Sequence, residues 1–172
     1  MTETVLETER LLLQKPTIDD AEFYYQLLRE PLFKQHIADL GIESVEDAKN
    51  FIEKYLIGHH ANFGFGMLTT RLKADNTAIG FCGAIKREYL EWPDMGYALL
   101  PEFFGKGYAT EGAKVVLDHC HNQLGMDKVV AYTTLENAES MHVLEKIGLK
   151  RDKLINIPDG ERMLFTSCRD ES

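Results

Sequence analysis

From Phe63 to Leu100 the hydrophobic pattern leaves the helical period and reads as three strands in quick succession, over 64–73, 77–87 and 94–100. Ala74-Asp75-Asn76 joins the first two, and a turn around Trp92 and Pro93 joins the second to the third. A parallel return takes a crossover of about a dozen residues, so connections this short make the three an antiparallel meander.

On either side of the meander the period changes. Residues 10–15 read as a strand, and Thr17 with Asp20 three positions on forms an N-terminal capping pair for a helix carrying Ala21, Tyr24, Leu27 and Leu28. Ser44 and Asp47 repeat the pair ahead of Val45, Ala48, Phe51, Ile52 and Tyr55. Pro101 stops the third strand of the meander, and a long helix then carries Ala109, Ala113, Val116, Leu117, Cys120 and Leu124 on one face until Gly125. Residues 128–135 read as a strand, 138–147 as a helix closed by Gly148, and 149–157 with 162–168 as a hairpin across Asp159-Gly160. The order is β-α-α-β-β-β-α-β-α-β-β, an α+β class.

Composition narrows the setting. A chain of 172 residues that is 44% hydrophobic, without repeats or a Gly/Ser/Pro linker, is expected to form one domain over 1–172. Apolar runs such as 11–13 and 79–85 fall well short of the roughly 20 residues that span a bilayer, and residues 1–10 lack a basic and apolar leader, so neither membrane insertion nor export is expected. Cys82, Cys120 and Cys168 are odd in number and widely spaced, which fits reduced thiols in the cytoplasm. A formal charge of -9 repels phosphates, so nucleic acid and anionic membranes are not expected partners. The same field attracts a cationic amine, or serves only to keep the protein in solution. The sequence leaves a homodimer open. His119 and His121 diverge on their helix and His59-His60 lacks acidic or thiol partners at metal spacing, so no metal is expected.

Two segments carry chemistry. The first runs Leu99-Leu100-Pro101-Glu102-Phe103-Phe104-Gly105-Lys106-Gly107-Tyr108-Ala109-Thr110-Glu111, from a strand end through a glycine-rich turn into the amphipathic helix. The first amides of a helix have no partners within it and lie at the positive end of its dipole, and the two glycines allow torsions and close approach that a Cβ obstructs. Lys106 adds charge, and the geometry suits a diphosphate. A plain tight connection is the competing reading. A Walker loop is absent, and a dinucleotide fingerprint would put Thr110 at its third glycine and Glu136 on the ribose, but in a fold that begins with a parallel unit. The second segment runs from Glu136 to Leu149. Asn137 serves there as an N-cap and Met141, Leu144 and Ile147 as a core stripe, whether or not the segment does anything else.

Taken together, the block from Phe104 to Glu111 resembles the acetyl-CoA-binding motif of the GNAT acetyltransferases, and Asn137-x-x-Ser140-x-x-Val143-Leu144-Glu145-Lys146-x-Gly148 resembles the motif that follows it there. Glu9-Arg10-Leu11-Leu12-Leu13 is similar to the opening strand of the RimJ/RimL-like subgroup, which acetylates protein amino termini. The resemblance spans almost the whole chain. It implies a mixed, mostly antiparallel sheet of about seven strands with about four flanking helices, and acetyl-CoA as cosubstrate. It also implies that the strand ending at Leu99 and Leu100 parts from 128–135 to receive the pantetheine arm. Amides of Gly105, Lys106, Gly107, Tyr108, Ala109 and Thr110 would hold the diphosphate. Asn137 would bond the pantetheine or nearby phosphate region, and Ser140 would donate a proton to the leaving thiolate. Phe104 stands where the family often has Arg or Gln, which shifts electrostatic work to Lys106.

The reaction this implies is direct attack of a neutral amine, since no Cys or Ser lies beside a His in these motifs. A lysine near pKa ~10.4 costs roughly 4.6 kcal/mol to deprotonate at pH 7, against about 1 kcal/mol for an α-amine near ~7.8. An amino-terminal acceptor is therefore favoured over a small amine such as a polyamine or aminoglycoside. A non-catalytic acyl-CoA- or dinucleotide-binding module is the remaining alternative. Asp94, on the strand leading to the thioester, or Glu91 in the preceding turn, either takes the proton, directly or through water, or only binds a cation or solvates the turn.

Overall fold

The computed structural model describes residues 2–169. The terminal residues of the 1–172 domain expectation lie outside that range. Eight strands form one sheet: β1 (Thr4–Glu7), β2 (Leu11–Gln14), β3 (Met67–Leu72), β4 (Ala78–Ile85), β5 (Asp94–Leu99), β6 (Lys128–Thr133), β7 (Lys150–Ile157) and β8 (Gly160–Cys168), in the order β1-β2-β3-β4-β5-β6-β8-β7. Every neighbouring pair is antiparallel except β5 and β6. The helices are α1 (Ala21–Leu28), α2 (Pro31–His36), α3 (Val45–Phe51), α4 (Gly58–Phe63), α5 (Tyr108–Asn122) and α6 (Ala138–Lys146). A π-helical stretch, Ile52–Ile57, fuses α3 to α4 into one rod.

This is the expected mixed, mostly antiparallel α+β fold, with three departures from the sequence reading. Among the described residues there are eight strands where about seven were expected, because Thr4–Glu7 adds an edge strand whose Val5 and Leu6 are only half-buried. So few apolar positions give no readable period. A short helix, α2, opens on Pro31 at its first turn and buries Phe33, too brief for its face to recur. The second expected helix runs on beyond Tyr55 to Phe63, and the first strand of the meander begins at Met67 instead of residue 64. His59 and His60 explain that junction: Nδ1 of His59 lies 2.8 Å from the Phe65 oxygen and Nε2 of His60 2.8 Å from that of Met67, so both rings bind the backbone that follows the helix.

Adjacent strand residues feed opposite cores. Leu68, Cys82 and Met95 pack with Ala113, Val116, Leu117 and Cys120 of α5 and Met141 and Leu144 of α6. Their neighbours Met67 and Phe81, with Ala98, pack with Tyr24 and Leu27 of α1, Phe33 of α2 and Ala48 of α3. The alternation of side chains along a strand thus places α5 and α6 on one face and α1 to α3 on the other. The caps foreseen from sequence are formed where they matter, with Ser44 Oγ accepting from the Asp47 amide at 3.0 Å and Asp20 accepting from the Thr17 amide at 3.3 Å.

Candidate active site

β5 is held fully by β4, from Gly80 opposite Leu99 to Ile85 opposite Asp94, and β6 is held fully by β8. Between β5 and β6 the pairing is confined to Asp94 opposite Val130, beside which the Val130 amide donates to Pro93 O at 2.9 Å. Each strand follows its other partner, and the sheet opens toward the C-terminal ends of both. The Leu100 amide donates to Ile79 O, directly opposite, at 2.8 Å. Antiparallel pairs alternate between bonded and non-bonded, so Leu99 and Tyr97 occupy non-bonded pairs with β4 and turn their N–H and C=O groups toward the opening. Leu100 spends its amide on β4 and buries its side chain against α1 to α3.

The chain leaves the open end of β5 through a 3-10 turn, Pro101–Phe103, and reaches α5 through Gly105 and Gly107 at φ 74° and 83°. Both torsions lie in the left-handed region, where glycine carries no Cβ penalty. Gly107 is the N-cap of α5, with no side chain bonded to the helix amides. The first bond of this turn is the Glu111 amide to Gly107 O, and among the described residues no acceptor takes the amides of Gly105, Lys106, Gly107, Tyr108, Ala109 or Thr110. Six donors without an acceptor and the positive end of a 15-residue helix therefore lie where the chain leaves the open end of β5. Phe104 is exposed, and the Lys106 ammonium stands 5.9 Å from the Phe103 ring centre, close to the same turn.

Asn137 caps α6 by accepting from the Ser140 amide at 3.2 Å, which leaves its NH2 free to donate elsewhere. Ser140 is half-buried on the first turn of α6. Its side chain is the polar neighbour of Tyr97, whose phenol burial pushes upward while the Ser140 hydroxyl opposes the rise. Nothing in the spacing of Tyr97 announces Ser140, since the two lie on different elements.

Asp94 lies at the closed end of the opening and, one residue before Met95, faces away from α5. It is buried, with Arg87 Nε donating to its Oδ2 at 2.7 Å. Burial pushes its carboxyl up to about 6 against the pull of the Arg87 charge. Burial also works against the Arg87 charge, but Asp94 together with the neighbouring Tyr132 and Tyr89 more than offsets it, so the guanidinium is raised above its ordinary value. The guanidinium lies over the rings of Tyr89 and Tyr132, whose hydroxyls meet at 2.8 Å. Glu91 is exposed in its turn. Cys82 and Cys120 are buried, with the Cys120 thiol pushed up to about 12 by burial and Cys82 raised by the same cause, so neither is a ready nucleophile. Among the described residues no group of three or more His, Cys, Asp or Glu is disposed to hold a metal ion, and no helix is long and apolar enough to cross a membrane.

A mixed sheet that parts between two parallel strands, with free helix-terminal amides at the mouth, offers a cleft whose entrance suits an anionic group. The chain belongs to the GNAT acetyltransferases: the family model described as "Acetyltransferase (GNAT) domain" matches residues 10–150. It is similar to the uncharacterized N-acetyltransferase YnaD of Bacillus subtilis, 26% identical over 157 residues that make up 90% of this chain and 89% of that protein. Among solved structures it is similar to an acetyltransferase from Agrobacterium tumefaciens, at 25% identity and TM-score 0.82 over 98% of this chain and 95% of that one. RimL, a ribosomal L7/L12 alpha-N-protein acetyltransferase solved with coenzyme A, shares the fold at TM-score 0.84 and 13% identity, covering 99% of this chain and all of that one.

Proposed function

We propose that this single-domain protein transfers the acetyl group of acetyl-CoA to a primary amine by direct attack in the cytoplasm, and that its acceptor is a protein or peptide α-amine, as in the RimJ/RimL-like subgroup. The observation that carries this reading is the set of free amides over residues 105–110 at the mouth of the β5–β6 opening. A diphosphate offers several anionic oxygens to such a set at once, and a glycine-lined turn lets it approach the backbone closely. The outward N–H and C=O groups of Tyr97 and Leu99 suit the amides of a pantetheine arm, so the residues present fit coenzyme A.

Bound acetyl-CoA supplies an activated thioester; the rest is done by the chain. The amides of 105–110 bind and orient, and the Asn137 NH2 is free to add a donor. Ser140, with Tyr97 beside it, holds a proton on the α6 side of the opening for the departing sulfur. Asp94, on the other face, accepts the proton that the amine gives up, directly or through water. A carboxyl lifted to about 6 is mostly ionised at pH 7 yet far more basic than an ordinary carboxylate. That modest base suits an α-amine, which is already partly neutral near pH 7, better than a lysine or a polyamine.

The test is release of free thiol from acetyl-CoA in the presence of amino-terminal peptides, a polyamine panel and aminoglycosides. Turnover with peptides and little with small amines is expected. Turnover confined to small amines overturns the acceptor assignment, and tight acetyl-CoA binding without thiol release above hydrolysis overturns the enzymatic reading.

A further inference from the structure

The turn that offers the free amides is built on two glycines and no side-chain cap, so no side-chain hydrogen bond from within it fixes its shape. Its support comes from about a hundred residues away. Arg10, immediately ahead of β2, donates from Nη1 to Lys106 O at 2.9 Å and from Nε to Glu111 Oε1 at 2.8 Å. Its backbone amide donates to Glu111 Oε2 at 3.0 Å, and the Thr8 hydroxyl donates to the same oxygen. The guanidinium lies 4.4 Å from the centre of the Tyr108 ring, and its Nη2 would stand 3.3 Å from a Cβ placed on Gly107. One side chain thus grips the turn before the helix, the first helical ring and the carboxylate that ends the first turn.

We infer that Arg10 is a positioning residue for the coenzyme, holding the Lys106-Gly107 turn in its ligand-ready shape and turning the Glu111 carboxylate away from the incoming diphosphate. The inference rests on the reading that residues 105–110 bind that diphosphate. Two physical effects follow from the geometry. Ordering a glycine turn in advance removes an entropy cost from binding. Glu111 sits in the first turn of α5, where a carboxylate suits the helix dipole but repels a second anion at the same end. The fork of Arg10 and the Thr8 hydroxyl occupy both Glu111 oxygens and neutralise that charge. They also hold the carboxyl below its usual range although burial alone would raise it.

The experiment is steady-state kinetics and acetyl-CoA titration on Arg10→Ala, Arg10→Lys, Glu111→Gln and Arg10→Ala/Glu111→Gln, with Gly107→Ala as the control on the turn itself. Arg10→Ala is expected to raise the KM and Kd for acetyl-CoA roughly tenfold, the scale of losing a charge-assisted anchor and the preorganisation it gives, with kcat and the acceptor KM within about threefold. Arg10→Lys can meet Glu111 but cannot span to Lys106 O as the planar fork does, so it recovers only part of the affinity. The double variant is expected to bind acetyl-CoA more tightly than Arg10→Ala, because the uncompensated charge of Glu111 is gone. An acetyl-CoA Kd unmoved by Arg10→Ala, or a loss shared equally by kcat and the acceptor KM, overturns the inference. If Arg10→Ala does not fold, Glu111→Gln and Arg10→Lys decide the matter: a wild-type KM for acetyl-CoA in both overturns it. A Gly107→Ala protein with undiminished acetyl-CoA affinity instead defeats the diphosphate reading beneath it, whereas weakened Gly107→Ala beside unaffected Arg10 variants defeats the Arg10 inference alone.

Discussion

Replacing Asp94 with Asn separates what burial does to this carboxyl from what Arg87 does. Lifting it from the ordinary 3.8 to about 6 corresponds to about 3 kcal/mol at roughly 1.36 kcal/mol per pH unit. Because the folded pKa is the higher one, the folded chain binds the proton more tightly than the unfolded chain. The stability this contributes is complete below pH 3.8 and is lost as pH rises to about 6. Asn has nearly the same shape and no charge to bury, so the stability of wild type minus that of Asp94→Asn should fall by about 3 kcal/mol between pH 3.8 and 6 and then level off. Urea unfolding of both proteins across pH 4 to about 7 measures the difference directly, with effects common to both cancelling. In turnover at saturating acceptor the wild type should show an acid limb near pH 6 that Asp94→Asn lacks, with the variant slowed by roughly a hundredfold or more. A stability difference that rises with pH would mean that the Arg87 ion pair outweighs burial and that the carboxyl is an ordinary structural anion. An acid limb that survives in Asp94→Asn would remove it from proton transfer.

Ser140→Ala should lower kcat by about 10- to 100-fold, the scale of a hydrogen bond to a charged group, while acetyl-CoA Kd stays within about twofold; wild-type turnover with chemistry rate-limiting would exclude the donor role. Tyr97→Phe should lower kcat less, and combined with Ser140→Ala should cost little more than Ser140→Ala alone, as expected of groups that act as a unit. Strictly additive losses in that cycle would show two independent roles. Intact-mass measurement during turnover should detect no acetylated enzyme, and turnover should survive thiol alkylation of the native protein, because Cys82 and Cys120 are buried with raised pKa. An acyl-enzyme that forms and decays at the rate of turnover would contradict direct attack.

The elements that carry the site were legible because each has a local signal. Residues 108–122 show an amphipathic face, Gly105 and Gly107 mark the turn before it, and Asn137 stands where α6 begins. Thr4–Glu7 and Pro31–His36 escaped notice because four and six residues are too few to show a period, and tertiary contacts make them regular. The partnerships were beyond reach for another reason. Arg10 meets Glu111 across a separation of 101 residues, and Ser140 comes to Tyr97 only because α6 packs on the face of the sheet toward which Tyr97 points. Spacing within a segment cannot announce contacts made between segments. The resemblance to GNAT motifs pointed to the turn over 105–110 as the candidate coenzyme site, but the direction in which the Tyr97 and Leu99 backbones point needed the register of β4 against β5.

The central claim concerns six amides, and backbone amide shifts on titration with coenzyme A test it one residue at a time. The account predicts that the resonances of Gly105, Lys106, Gly107, Tyr108, Ala109 and Thr110 move downfield and saturate together with those of Tyr97 and Leu99. Saturable binding that leaves all six unmoved while shifting resonances elsewhere would contradict it.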